Sequence, residues 1–422
     1  MPQKMVWVYD GSLTQYPDDF TSSTHGSLND CTDCHGGDDT VDTRAAAHVT
    51  DWESIPDSSN CTTCHAADVP NIDNSLHTNL GGYMTILADR GADVSVAGTL
   101  ADRFDEQCTK CHVANDDTEL SACGFCHVSV PVVAGGGFLN GHNFRKTPDM
   151  ERNCTACHGS RIKDEFFGLN QDLVDSNSSV YTSSQLNTTD GIAADVHFAA
   201  TQSVNADGYE VGCTFCHSGD EMHGVGAPVD GDRYAVTSGP LCQDCHTPAA
   251  SSYHSATHLS DIACQACHAQ PYKNCFGCHT DVDTGGTDLP YYTINEGSPA
   301  GTNDALMTFR IGANPNASRT YNYAVLRHVP VDADTFKYAV ADSQDGLITN
   351  MTASPTWKYT SPHNIARVTP IQATCNNCHA AGYSDFWLTD SLVDDEGWLP
   401  ADYESDEAEA NSLVEVSAPM DY

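Results

Sequence analysis

Apolar residues in this chain come in short runs, and none approaches the length a helix needs to cross a bilayer. Alternation of the kind a half-buried strand requires is confined to three stretches: Thr308 to Ile311, Tyr321 to Leu326 and Thr335 to Val340. They predict a small β-containing insert within residues 280–374. The stretch from Asp175 to Asp190 is rich in Ser, Asn and Thr and reads as a surface loop. Elsewhere regular structure should be sparse, with short helices separated by loops.

Composition sharpens the problem. Only 8% of the 422 residues are aromatic, and Gly, Asp, Ser and Thr are abundant. An apolar core built from side chains alone would be thin for this length. Something else must fill the interior, and the cysteines say what.

All 20 cysteines sit in C-x-x-C pairs, and each pair is followed at once by His. The ten motifs comprise Cys31, Cys34 and His35; Cys61, Cys64 and His65; Cys108, Cys111 and His112; Cys123, Cys126 and His127; and Cys154, Cys157 and His158. They continue with Cys213, Cys216 and His217; Cys242, Cys245 and His246; Cys264, Cys267 and His268; Cys275, Cys278 and His279; and Cys375, Cys378 and His379. Two thiols at this spacing add to the two vinyl groups of one haem, and the adjoining imidazole reaches the iron from the same side. Zinc ribbons also use C-x-x-C pairs but have no need of His after every pair. The expected cofactors are therefore ten covalent haem c groups.

The histidine arithmetic extends this reading. Of 20 histidines, ten stand outside the motifs: His25, His48, His77, His142, His197, His223, His254, His258, His328 and His363. Ten irons need ten sixth ligands, so every haem is expected to be bis-histidine ligated. Methionine, the competing ligand, occurs only 8 times, and Met1, Met5 and Met420 lie near the chain ends. All-imidazole ligation implies low reduction potentials, because a Met/His pair raises them.

Motif spacing divides the chain into residues 1–165 with motifs one to five, 166–284 with motifs six to nine, and 285–422 with the insert, motif ten and an acidic tail. The short linkers from Cys108 to Cys123 and from Cys264 to Cys275 force neighbouring haems together. His328 and His363 should reach back from the insert to cap haems. His254 and His258, four apart, would share one helix face and serve two neighbouring haems. Phe125, Phe215 and Phe276 read as packing residues.

The formal net charge is -40, from 18 Lys plus Arg against 58 Asp plus Glu. Such a surface excludes nucleic acid and anionic lipid as partners. It suits solubility, and equally basic redox partners or metal cations. The sequons at Asn177, Asn187, Asn316 and Asn350 are candidate glycan acceptors. Haem c is attached outside the cytoplasm, so an exported, extracellular or cell-surface protein is expected. Met1 to Asp10 shows no targeting segment.

The ten motifs, the matched histidine count and the chain length resemble extracellular multihaem c-type cytochromes of metal-reducing microbes, over roughly residues 25–379. The resemblance implies an irregular multihaem cytochrome c fold, with short α-helices and loops around a haem array and a small β-containing insert near 285–370. It implies electron transfer rather than enzymatic catalysis, without a membrane span. It also implies self-association into a conductive filament, or exchange with other redox proteins, extracellular metal oxides or electrodes. In a filament the acidic tail from Asp394 to Glu409 would pack on a neighbour, and His25 would ligate a haem across that contact. A soluble or surface shuttle or terminal metal reductase is the alternative. A multihaem enzyme with one open haem is a further one, although no C-x-x-C-K motif occurs.

Overall fold

A computed structural model describes residues 24–28, 30–48, 52, 58–89, 122–128, 130–131, 138–139, 144–148, 153–154, 158, 162, 164–168, 193–201, 212–228, 231–273, 280–283, 291–294, 306–307, 309–316, 318–328, 357–379 and 386–389. The expected strand at Thr335 to Val340 and the acidic tail lie outside the described residues.

The chain divides into two units, each assembled from separated stretches. The first comprises Met1–Gly82, Phe104–Cys157 and Thr201–Arg233. The second comprises Tyr83–Arg103, His158–Ala200 and Tyr234–Tyr422.

In the first unit the helices are single turns or little more: Cys31–His35, Arg44–Ala47, Ser58–His65, Leu76–Asn79, Ala122–His127 and Gly219–Met222. Caps begin several of them. The Thr43, Ser75 and Ser218 hydroxyls accept from the backbone N–H groups of Ala46, His77 and Glu221, satisfying donors that a helix start leaves open. Ser75 is buried and does more, because its hydroxyl also donates to the Met222 carbonyl at 2.7 Å. That bond ties the turn carrying His77 to the turn carrying His223.

A polar clamp holds another part of this unit. Buried Arg145 donates to the Asn153 side chain at 2.9 Å, and Asn153 donates to the Phe125 carbonyl at 2.9 Å. Asn153 immediately precedes Cys154, so the fifth motif is fastened to the helix of the fourth. A buried guanidinium is tolerated only when its donors find partners, and this arrangement supplies one.

The second unit contains a three-stranded antiparallel sheet in the order Arg310–Ala313, Tyr323–His328, Trp357–Tyr359. The first two strands cover parts of the stretches whose alternation predicts strands. Ile311 pairs with Val325, and Leu326 with Tyr359. Ile311 and Val325 join Ala266, Phe309, Ile371 and Trp387 in the apolar core. Cys267 and Cys378, from the eighth and tenth motifs, pack against this cluster. On the opposite face Ala324 and Leu326 are fully buried, so the sheet is covered on both sides. The insert is thus a hub on which two motifs are seated. Arg319, in the turn after the first strand, donates to the Gly239 carbonyl at 3.3 Å and anchors the approach to Cys242.

Leu326 has no exposed surface, and truncating such a side chain leaves a cavity. Leu326→Ala should destabilise the protein by about 2–5 kcal/mol, read as a lower midpoint in denaturant unfolding.

Candidate functional site

Among the described residues, C-x-x-C-H motifs close on themselves. The backbone N–H of His217, His246 and His379 donates to the carbonyl of Cys213, Cys242 and Cys375, at 3.0, 2.8 and 2.9 Å. This single helical turn brings both cysteines and the histidine to one side. Where the third motif position is Asp, its carboxylate caps the turn. Asp33 accepts from the Asp30 N–H at 2.7 Å, and Asp244 from the Leu241 N–H at 2.8 Å.

Five motif histidines face histidines from outside the motifs. His25 lies opposite His65 with ring centroids 6.0 Å apart, and His127 opposite His223 at 6.1 Å. In the second unit His197 faces His246 at 5.9 Å, His254 faces His268 at 6.2 Å, and His258 faces His379 at 6.0 Å. Each pair joins one motif histidine to one histidine from outside the motifs. His77 also lies near enough to His217 for the two charges to interact.

The spacing has a physical meaning. Rings in direct stacking contact sit closer, as His48 on Trp52 at 3.8 Å and His25 on Phe144 at 4.1 Å. Tilted aromatic pairs commonly reach these longer separations too, so distance alone decides little. Two imidazoles sharing one metal ion have nitrogen–metal bonds of about 2 Å each, and a ring radius of a little over 1 Å on either side brings the centroids to about 6 Å. The pairing rule and the distance together fit an ion held between two imidazoles. The residues would therefore suit a haem iron. Among the described residues no group of three or more His, Cys, Asp or Glu side chains is placed to hold a metal ion.

The other ring nitrogen is held as well. Nδ1 of His65 meets Asp68 at 3.0 Å, Nδ1 of His197 meets Asp195 at 2.8 Å, and Nδ1 of His217 meets Glu221 at 3.1 Å. Nδ1 of His127 meets the Arg145 carbonyl at 2.6 Å, that of His258 the Tyr253 carbonyl at 3.0 Å, and that of His268 the Ala366 carbonyl at 3.0 Å. An acceptor at Nδ1 fixes the proton there and leaves Nε2 free to ligate. Burial pushes the pKa of His77 down, with His217 adding to it, and burial likewise lowers His127, where the Arg145 carbonyl opposes the shift. Both effects favour the neutral, ligating form. His217 is raised by its bond to Glu221.

Cysteines of different motifs also meet. The Cys213 thiol is hydrogen-bonded by Cys154, which draws it down to about 7. The Cys264 thiol is hydrogen-bonded by Cys242 and falls to about 7, while Cys242 is pushed up. Burial raises Cys378 to about 12, with Cys267 and Cys375 adding to the shift. Cysteines of the fifth and sixth motifs, and of the seventh and eighth, are therefore neighbours.

The ring of His48 stacks on Trp52, His158 is exposed, and the His363 N–H donates to Glu165 at 3.1 Å. Cys108, Cys111, His112, His142, Cys157, Cys275, Cys278 and His279 lie outside the described residues, as do the side chains of Cys31 and His328. One detail differs from expectation. His254 precedes the helix Ala256–Asp261 instead of sharing it with His258, because Ser255 caps the helix between them; the two still face different motif histidines. Within its own chain the His25 ring lies near that of His65. At the sequon of Asn316 the residue is buried, and its side-chain carbonyl accepts from the Ser318 N–H at 3.0 Å, so it folds back into its own turn.

Sequence reasoning did not single out Asp68, Asp195 and Glu221. Their signal was present, since they stand three, two and four residues from the histidines they hold. The carbonyl acceptors had no such signal. No protein-family model, curated protein or solved structure matches this chain. Among the described residues no helix is long and apolar enough to cross a membrane.

Gly224 follows His223 with φ +84°, and an added Cβ would run into the Asn71 carbonyl and the Ser75 nitrogen. Gly224→Ala should destabilise by at least about 2 kcal/mol, through strain at positive φ and the clash. Gly219, where a Cβ meets nothing within 4 Å, should accept Ala without loss. Paired unfolding curves of the two variants check this.

Proposed function

We propose that this chain is an electron-transfer protein carrying ten covalent haem c groups, each iron held between two histidines. The observation that carries the reading is the set of facing imidazoles, each joining a motif histidine to one from outside the motifs at 5.9–6.2 Å. When bound, haem supplies a reversible one-electron couple at iron. The protein's residues do the rest. The cysteines would fix each group covalently, and the facing histidine rings, held at Nδ1 by their acceptors, would ligate the iron.

Closed axial positions favour relay over substrate chemistry, which needs an open or displaceable site. Neighbouring attachment cysteines, Cys154 with Cys213 and Cys242 with Cys264, would set successive haems side by side. Short gaps between haems suit electron hopping. The apolar faces of the haems would also supply the interior that the side chains leave thin.

The protein is read as exported and acting outside the cell, as the subunit of a conductive filament. That part rests on the resemblance to extracellular multihaem cytochromes and on motifs running from Cys31 to His379. Negative-stain imaging of the secreted protein should show fibres. Isolated single-copy particles at every salt concentration would replace the filament with a soluble shuttle passing electrons to other redox proteins or metal oxides.

Intact mass should exceed the polypeptide by ten haems, and the ferric protein should be low-spin throughout. His254→Ala and His258→Ala should each open one iron, so that each reduced variant binds carbon monoxide at one haem while the parent binds almost none. If both variants stay fully low-spin with ten haems attached, the facing-ring assignment is wrong.

A further inference from the structure

The acceptors that hold Nδ1 differ in charge. His127, His258 and His268 are held by neutral backbone carbonyls. His65, His197 and His217 are held by the carboxylates of Asp68, Asp195 and Glu221. A carboxylate draws the Nδ1 proton toward itself and makes the imidazole a stronger electron donor to whatever Nε2 ligates. A stronger donor stabilises the more oxidised metal.

Solvent decides how far each carboxylate's charge is felt. The Asp68 side chain is 73% exposed, so water and salt screen it. The Glu221 side chain is only 12% exposed and that of Asp195 only 4%. Both are also fixed in place. Asp195 accepts from the backbone N–H of Ile365 at 2.7 Å and of His197 at 2.8 Å. Glu221 lies on the helix Gly219–Met222, whose cap, Ser218, accepts from the Glu221 N–H at 3.1 Å. The helix begins directly after the motif ending at His217, and both carboxylate oxygens of Glu221 lie within 3.2 Å of Nδ1.

We infer that Glu221 and Asp195 set reduction potential: each lowers the potential of the iron bound by the histidine it holds, making His77/His217 and His197/His246 the low-potential positions of their units. The inference rests on the haem reading proposed above. It adds a gradient to the array, because the carbonyl-held pairs lack the extra negative charge.

Glu221→Gln and Asp195→Asn keep the size of each side chain and an acceptor oxygen but remove the charge. In the haem-loaded full chain, intact mass should still report ten haems, and ferric electron paramagnetic resonance should stay low-spin. One component of the spectroelectrochemical redox titration should move upward in each variant. The expected shift is about tenfold in that haem's reduction equilibrium, or about 59 mV for a one-electron couple. Asp68→Asn, whose charge is screened by solvent, should move its component by much less than either buried-site variant. Superimposable titrations for parent and both buried-site variants, at full low-spin haem loading, would overturn the inference. A high-spin iron in Glu221→Gln would also overturn it, since Glu221 would then be holding the ring in place and not tuning it. If Asp195→Asn fails to fold because its bond to Ile365 is lost, Glu221→Gln alone decides. A parent protein without haem would instead remove the underlying reading, an outcome that mass alone distinguishes.

Discussion

An imidazole aimed at a metal must have its second nitrogen occupied, or the ring turns and the aim is lost. Much of the described architecture meets that demand. Six histidines have an acceptor within 3.1 Å of Nδ1, drawn from carboxylates and backbone carbonyls alike. Five pairs of rings then face each other at nearly the same separation. Short helices, caps and loops serve the same end. The Ser75 hydroxyl caps His77 while donating to Met222 beside His223. Ser255 caps the turn that presents His258. Secondary structure is brief because positioning a ring takes one turn of helix, and the facing ring arrives from a distant part of the chain.

This explains why each compact unit is built from separated stretches. His77 and His217 are far apart in sequence yet adjacent in the first unit, and His258 and His379 are likewise brought together in the second. The sheet acts as a local core for the eighth and tenth motifs. Cys267 and Cys378 pack on the cluster around Ile311, Val325 and Trp387. The Cys267 carbonyl accepts from Gln372 at 3.0 Å, and the Cys378 carbonyl from the Trp387 indole at 3.3 Å. Apolar packing fixes the backbone of these motifs, and the Ala366 carbonyl holds the His268 ring.

The chemistry was more legible in the sequence than the fold. C-x-x-C-H is a local pattern, so spacing alone picks out the cysteines and histidines expected to hold haem. The equality of motif and non-motif histidines pointed to pairing, but which ring meets which depends on long-range folding. His25 illustrates this. Its place before the first motif gives no sign that the fold sets it near His65. His254 and His258 were read as one helix face, yet a Ser cap divides them. Alternation identified the strands around Ile311 and Val325 because one face of each is buried in the core. The clamp from Arg145 through Asn153 to Phe125 left no pattern, since buried polar partners obey no period.

The central claim is that facing histidines close both axial positions of every iron. X-ray absorption at the iron edge of the purified ferric protein tests it most directly. Six-coordinate iron with nitrogen alone in its inner shell, and multiple scattering from two imidazoles, is the predicted result. A sulfur ligand, a five-coordinate population, or zinc in place of iron would contradict it.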